Sequence, residues 1–374
     1  MFRDVLPGIH ADALDCLQAN LAVFADAHHG AGTHLRLGAR TGFEPVFGAG
    51  LPTVAATVDD RLAQARRWLG LSVTQRHDGV TAADVVSLLS DGEPRYLVAD
   101  AFGMPWLPYH GHEHVEHSFL AVAAPGGVQV TDAYHNVTPR GTALPGVWLL
   151  TESEFVAALD VGENTVISLQ PVALPEGHDE TAPVDPAVVG RYVAAYRDHT
   201  DRRAAFTALT LETWLLARER RMRVALTGDP ASASRLPGWQ RLTEQVYVAL
   251  RRVEAGRGAP SHVFEMLSDL LNAEGAPAAH DGPDAAGAER DTRVRATIVA
   301  VLARILGIGA EHVTADFRTM PGFDSFRLVD LIQQTESALD IEIPPDELVA
   351  ANMADLDALT RLFARAVVRG GVHA

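Results

Sequence analysis

The sequence predicts an α+β domain extended by a helical region and followed by a small all-helical domain on a tether. Three observations carry this expectation. Residues 1–175 mix strand-like runs with helical periodicity, and residues 184–272 keep helical spacing with few turn signals. Residues 273–291 are dominated by Ala, Gly, Pro, Asp and Glu with no apolar period, which reads as a flexible linker to a last segment, residues 292–371.

Composition removes several function classes. At 374 residues the chain has room for two or three domains of roughly 100–200 residues each. Its formal net charge of −17 opposes polyanion binding, so no nucleic-acid partner is expected. The single cysteine, Cys16, excludes an internal disulfide framework and a Cys-rich zinc module, and fits a reducing compartment. The first residues carry Asp4, Asp12 and Asp15 and lack the apolar core of a signal peptide. No apolar run approaches the roughly 18 residues of a membrane span, and Arg304 interrupts Ile298–Leu306. A cytoplasmic protein without a membrane partner is expected.

The first domain opens with an Ala/Leu-rich helix over Cys16–Ala27, whose first residue is the cysteine. A helix start lowers a thiol's pKa and aims N–H groups at a developing oxyanion, whereas the charge of Asp15 opposes this. The bland alternative is a small buried hydrophobe in an apolar helix. A strand-like run follows at Arg95–Ala101, then a hairpin over His117–Asp132 turning at Pro125-Gly126-Gly127. Either register of that turn pairs residues whose numbers add to 253 or 251, and either odd sum puts His117 and Asp132 on one sheet face. His110, His112 and His114 alternate, so on a strand they would share a face as zinc ligands or as a solvated cluster; they lack the His-Glu-x-x-His spacing of a helical zinc site, and no metal is expected. Trp106 and Tyr109 are candidates for an acyl pocket, with core packing the expected fate of Trp106. Asp100 ends a strand and carries no assigned role.

A cysteine on an early helix, then a histidine and a carboxylate on successive strands, is the order of papain-like enzymes. With Pro94, the Val98-Ala99-Asp100 strand end and the segment Pro105-Trp106-Leu107-Pro108-Tyr109, the first 140 or so residues resemble the papain-like cysteine acyltransferase family of the butirosin-biosynthesis H protein. The resemblance implies transfer of an acyl group from a carrier-protein thioester to an amine, with Cys16 as nucleophile, His117 as general base and Asp132 orienting His117. Asn136 is the alternative orienting residue. Where papain-type enzymes have Gln six residues before the cysteine this chain has His10, a candidate oxyanion donor beside the Cys16 N–H. The helical region 184–272 reads as a packing platform.

In the last segment an amphipathic helix spans Val294–Leu306. A loop then leads through Phe317 to Gly322-Phe323-Asp324-Ser325-Phe326, and a second helix places Leu328, Leu331, Ile332 and Leu339 on one side. With Glu336–Pro344 and Asp355–Leu359 the whole segment resembles the four-helix acyl carrier protein family. The resemblance implies covalent 4'-phosphopantetheine on Ser325, with Asp324 beside the metal and cofactor of a phosphopantetheinyl transferase. Ser325 also opens a helix, where free N–H groups suit a phosphodiester, although a plain N-cap serine would look the same. Phe326 stands where many members have Leu.

Three functions fit these readings. The first is an acyltransferase or cyclising, releasing enzyme of polyketide or nonribosomal-peptide type biosynthesis, served by an acyl-loading enzyme or upstream synthase modules and a small-molecule acceptor. The second is a thioesterase on the same residues, with water as acceptor. The third is a catalytically silent carrier fusion. Sequence does not separate the first two, because water exclusion belongs to the folded pocket.

Overall fold

The computed structural model describes residues 2–370 apart from 175–179, 182, 259, 276–284, 321, 324, 340, 342, 344–346, 348, 349 and 354. The described chain is a mixed helix and sheet protein that divides into two compact units, Met1–Pro277 and Ala278–Ala374.

The first unit is built on helix α1 (Cys16–His29) and an antiparallel sheet. Asp15 begins α1 through a capping box, accepting from the Gln18 N–H while the Gln18 side chain returns to the Asp15 N–H. The same device starts α2 (Val58–Gln64), α3 (Ala82–Leu88) and α4 (Glu152–Leu159), with Thr57/Asp60, Thr81/Asp84 and Thr151/Glu154. Six strands pair in the order β2 (Leu71–Val80), β9 (Asn164–Pro171), β3 (Arg95–Asp100), β4 (Glu116–Ala124), β5 (Gly127–Asp132) and β8 (Gly146–Leu150). Strands β1 (Arg40–Thr41) and β10 (Glu180–Thr181) pair separately, as do β6 (Asn136–Thr138) and β7 (Gly141–Ala143).

The β4–β5 turn fixes the register. Ala124 pairs with Gly127 and Leu120 with Thr131, so paired numbers add to 251. Gly126 has φ +92°, and a Cβ on Gly127 would lie 1.9 Å from the Leu150 carbonyl oxygen, so both positions require glycine. One hydrophobic core lies around α1 with Leu21, Phe24, Trp68 and Leu120; a second contains Val85, Leu97, Phe119, Val130 and Phe155. Cys16 packs at the edge of both.

Helices α5 (Pro186–Arg197), α6 (Arg202–Thr227), α7 (Pro230–Glu254) and α8 (His262–Gly275) form a third core around Tyr192, Phe206, Trp239 and Phe264. These helices are joined to the sheet domain by buried polar side chains of α6. The Glu212 carboxylate accepts from Thr53 Oγ1 at 2.6 Å, from the Val54 N–H at 2.7 Å and from Tyr192 OH at 2.8 Å. Sequence periodicity shows the apolar stripe of α6 and hides this role, because Glu212 and Arg218 read as solvent-face charges until their partners are known.

The expected linker, residues 273–291, is helical at both ends: α8 runs to Gly275 and α9 (Ala285–Leu306) begins ten residues later. Its Ala-rich second half carries helix propensity that the Gly and Pro content masked. The residues between, 276–284, lie outside the described residues. In the second unit α9, α10 (Ser325–Leu339) and α11 (Leu356–Gly370) enclose Ile298, Leu302, Phe317, Leu331, Leu359 and Phe363. Of the four helices expected, the described residues show these three, with short turns of helix at Ala310–His312, Phe317–Thr319 and Ala350–Met353.

Candidate active site

Strand β4 delivers His117 to the start of α1, and β5 delivers Asp132 beside it. His117 Nε2 is 2.7 Å from Asp132 Oδ2, and each residue is about 1% exposed. With Nε2 given to the carboxylate, Nδ1 is the nitrogen left for a reacting group. Cys16 is the other side chain whose proximity favours the charged imidazole of His117. It is half-buried, and its Sγ also lies 3.7 Å from the Glu116 carbonyl oxygen. Burial works against the His117 charge, but the Asp132 carboxylate and Cys16 outweigh it and push the imidazole up to about 10. Burial likewise raises Asp132, and His117, the Tyr134 N–H and Asn20 more than reverse that and hold it below the ordinary carboxylate range.

Asp132 is saturated with donors. Oδ2 accepts from His117 and from Trp106 Nε1 at 3.1 Å; Oδ1 accepts from the Tyr134 N–H at 2.9 Å and from Asn20 Nδ2 at 3.3 Å. Asn20 stands one helical turn after Cys16 and is wholly buried. Its Nδ2 also donates to the Ser118 carbonyl at 2.8 Å and its Oδ1 accepts from the Ala133 N–H at 2.9 Å, so it binds α1 to both strands. The Ser118 hydroxyl donates to the Cys16 carbonyl at 2.7 Å. The Tyr134 ring meets the His117 imidazole edge-on at 5.1 Å.

The α6 helix holds the segments on either side of this group. Arg218, 5% exposed, donates through Nη1 to the Ala11 and Leu14 carbonyls and through Nη2 to the His135 carbonyl. It thus fixes the approach to Cys16 and the chain leaving Asp132. Desolvation lowers its pKa to about 10. The adverse charge of Asp15 is answered by an ion pair with Arg61.

Other candidate residues sit differently. Asn136 is on β6, where Nδ2 donates to Tyr109 OH at 3.0 Å and Oδ1 accepts from Trp214 Nε1 at 3.1 Å; Asp132 has the position beside His117. His10 Nδ1 is 3.0 Å from His34 Nε2, and His34 Nδ1 is 2.8 Å from Asp26. Asp26 lies about 15 Å along the α1 axis from Cys16, so His10 is tied toward the far end of the helix. Trp106, expected in the core, is half-buried: its ring packs on Phe119 and Trp148 at the edge of the second core, and its indole N–H takes Asp132 as acceptor. His110, His112 and His114 lie in turns and loop rather than on a strand; His110 Nδ1 pairs with the Phe102 carbonyl at 3.1 Å and His114 Nδ1 with Asp100 at 2.6 Å. Among the described residues no group of three His, Cys, Asp or Glu side chains is placed to hold a metal ion.

Sequence reasoning missed Asn20, Tyr134 and Arg218. Asn20 had a signal, being a polar residue inside the apolar run Leu17–Phe24 at helical spacing from Cys16. Arg218 had none, since its partners are backbone carbonyls more than 80 residues away in sequence.

In the second unit α10 begins at Ser325, so the backbone there offers the free N–H groups of a helix start to a phosphodiester. Ser337 lies inside the same helix, and Asp324 lies outside the described residues. Residues 296–361 match the family model of the phosphopantetheine attachment site. That domain holds 4'-phosphopantetheine covalently on a serine, which implies a phosphopantetheinyl transferase and acyl-loading or synthase partners. No curated protein matches the chain. Among the described residues no helix is long and apolar enough to cross a membrane.

Proposed function

We propose that the carrier domain bears its phosphopantetheine on Ser325, and that the unit 1–277 is a papain-like cysteine acyltransferase acting on carrier-bound thioesters in polyketide or nonribosomal-peptide type assembly. Ser325 is preferred over Ser337 because it alone stands at a helix start, with Asp324 before it as the transferase-facing acidic residue. When bound, the phosphopantetheine arm supplies a terminal thiol on which an acyl group is held as a thioester. One observation carries the acyltransferase assignment: His117 is clamped by Asp132 at 2.7 Å through Nε2, with Cys16 near enough to favour the charged imidazole.

The chemistry follows from those contacts. His117 takes the Cys16 proton on Nδ1, and the sulfur attacks the thioester carbonyl carbon to form a carbon–sulfur bond. The α1 N-terminus, including the Cys16 N–H, faces the developing oxyanion. The departing thiolate receives the His117 proton, leaving the acyl group on Cys16. An amine, hydroxyl or carbon acceptor then gives its proton to His117 and displaces the Cys16 sulfur, which recovers the proton. Asp132 keeps Nε2 protonated and the ring fixed throughout, while Trp106 and Asn20 fix Asp132.

The test is a single-turnover reaction of the full-length chain with an acyl N-acetylcysteamine thioester, read by intact-protein and peptide mass spectrometry. The acyl group is expected on Cys16, lost in Cys16→Ala, and discharged to added amine faster than to water. Discharge to water alone would favour the thioesterase. Unchanged turnover by Cys16→Ala would remove the covalent mechanism. Separately, Ser325→Ala is expected to abolish the mass gain produced by a phosphopantetheinyl transferase and coenzyme A; a persisting gain would reassign the attachment serine.

A further inference from the structure

Asp132 Oδ2 serves two donors, His117 Nε2 at 2.7 Å and Trp106 Nε1 at 3.1 Å. The second donor comes from outside the sheet. Trp106 lies in the run of turns between β3 and β4, so the place of its indole is set by what the ring packs against. Phe119 on β4 meets it edge-on with ring centroids 5.5 Å apart, and Trp148 on β8 stacks on it at 5.9 Å with the planes 28° apart.

Trp148 is in turn seated by a missing side chain. Gly146, two residues before it, is the cross-strand partner of Asp132. A Cβ at Gly146 would lie 2.6 Å from the Trp148 ring, so the indole rests over bare backbone. The Gly146 backbone does not enter the left-handed region, and it is therefore the ring, not the chain conformation, that excludes a side chain there. The contacts run in series: Gly146 admits Trp148, Trp148 backs Trp106, and Trp106 donates to Asp132.

The series ends on the charge that His117 feels. An oxygen that accepts from two donors is more stabilised as an anion and holds each donor less strongly. Withdrawing the Trp106 N–H leaves Oδ2 to His117 alone and makes His117 the stronger base. We infer that Trp148 is a positioning residue of this site, holding the Trp106 N–H on Asp132 Oδ2 and so setting how strongly His117 draws the proton of Cys16. The chemical consequence rests on the Cys16–His117 pairing of the proposed function, and the geometry does not.

Two probes of the full-length protein test the inference, because Cys16 is the only cysteine and Trp106 one of five tryptophans. The first is the exchange of indole N–H protons with solvent by NMR, with the Trp106 signal identified by its loss in Trp106→Phe. Its exchange is expected to speed up by about tenfold or more in Trp148→Ala and in Gly146→Ala, and Gly146→Ala should add nothing once Trp148 is already Ala. The second is the rate of Cys16 alkylation by iodoacetamide against pH. A stronger base forms the thiolate at lower pH, so the midpoint is expected to fall by about 0.5–1 pH unit in Trp106→Phe, and by less in the same direction in Trp148→Ala and Gly146→Ala. Loosened structure alone would change the rate at every pH and leave the midpoint in place. Trp148→Phe keeps a ring behind Trp106 and is expected to stay near wild type in both readouts. Unchanged Trp106 exchange in both Trp148→Ala and Gly146→Ala, or a midpoint that rises in Trp106→Phe, would each overturn the inference. A midpoint that moves in His117→Gln and not in Trp106→Phe would remove this inference alone; one that moves in neither would remove the Cys16–His117 pairing with it.

Discussion

Helix α1 has a buried carboxylate–imidazole pair near each end, and the two differ in what meets the far side of the ring. At the amino end, Asp132 takes His117 Nε2 at 2.7 Å, the other ring nitrogen has no hydrogen-bond partner among the described residues, and Cys16 is near enough to favour the charged ring. Toward the carboxyl end, Asp26 takes His34 Nδ1 at 2.8 Å, and His34 Nε2 is already occupied by His10 at 3.0 Å. Asp26 also accepts from the Gly32 N–H at 2.9 Å and the His34 N–H at 2.8 Å, so it staples the turn after α1. The same two residue types thus leave one imidazole nitrogen open in one place and make a brace in the other. The difference is one free nitrogen next to a thiol, not burial, since both imidazoles are about 1% exposed.

Replacing each histidine separates the pairs most sharply. His117→Gln is expected to slow acylation of Cys16 by about 10²–10⁴-fold, the usual loss of a general base. His34→Gln is expected to change that rate less than about threefold. Single-turnover mass spectrometry on folded protein decides it, and comparable losses in both variants would dissolve the distinction.

The carboxylates come next, read as stability. Asp132→Asn breaks a buried ion pair and is expected to cost about 3–5 kcal/mol near pH 6 in urea unfolding. The pH course has a defined sign. His117 is raised from 6.5 to about 10, so its stabilisation is fully present below about 6.5 and is lost as pH rises toward 10. Asp132 is lowered from 3.8, so its share is present above that value and falls away as the solution becomes more acidic. The gap between wild type and Asp132→Asn should therefore be widest from about pH 4 to 6.5 and close toward pH 10. A gap that widens with rising pH would contradict the raised imidazole.

Asp26→Asn is expected to cost less, about 1–3 kcal/mol, because two of its three acceptor contacts are to backbone N–H groups that an amide oxygen still serves in part. Acylation should remain within about threefold of wild type once both proteins are folded. A thousandfold loss here would mean that His10 and His34 act on the reaction after all.

The two pairs also show what a sequence discloses. The His117–Asp132 relation was legible because a hairpin has period two and a short turn, so any odd-sum register puts both residues on one face. The Asp26–His34–His10 relation was not, because it joins a helix, a turn and the amino-terminal segment with no shared period. His10 was read from its spacing to Cys16, and spacing along the chain says little when the intervening segment folds back onto another element. The carrier unit lies at the other extreme. Its family is plain from residues 296–361 since the attachment signal is local in sequence. The clamp that Arg218 puts on Leu14 and His135 needed the tertiary structure, because backbone carbonyls leave no mark on sequence.

The smallest expected effect concerns Asn136, the residue that competes with Asp132 for the third position. Asp132 ends β5 and Asn136 begins β6 four residues later, and an amide is what papain-type enzymes use to orient the histidine. In this fold the amide is spent elsewhere, bridging Tyr109 OH and Trp214 Nε1 and so linking β6 to α6. Asn136→Ala should remove those two hydrogen bonds at a cost of about 0.5–1.5 kcal/mol each, visible as a modest shift of the urea midpoint. Acylation of Cys16 should fall by less than about threefold, because His117 Nε2 keeps its carboxylate. The double variant Asp132→Asn/Asn136→Ala should then acylate no more slowly than Asp132→Asn alone. If Asn136→Ala by itself slowed acylation a hundredfold, or if the double variant lost far more than the sum, Asn136 would share the orienting role and the single-carboxylate description of the amino end of α1 would be wrong.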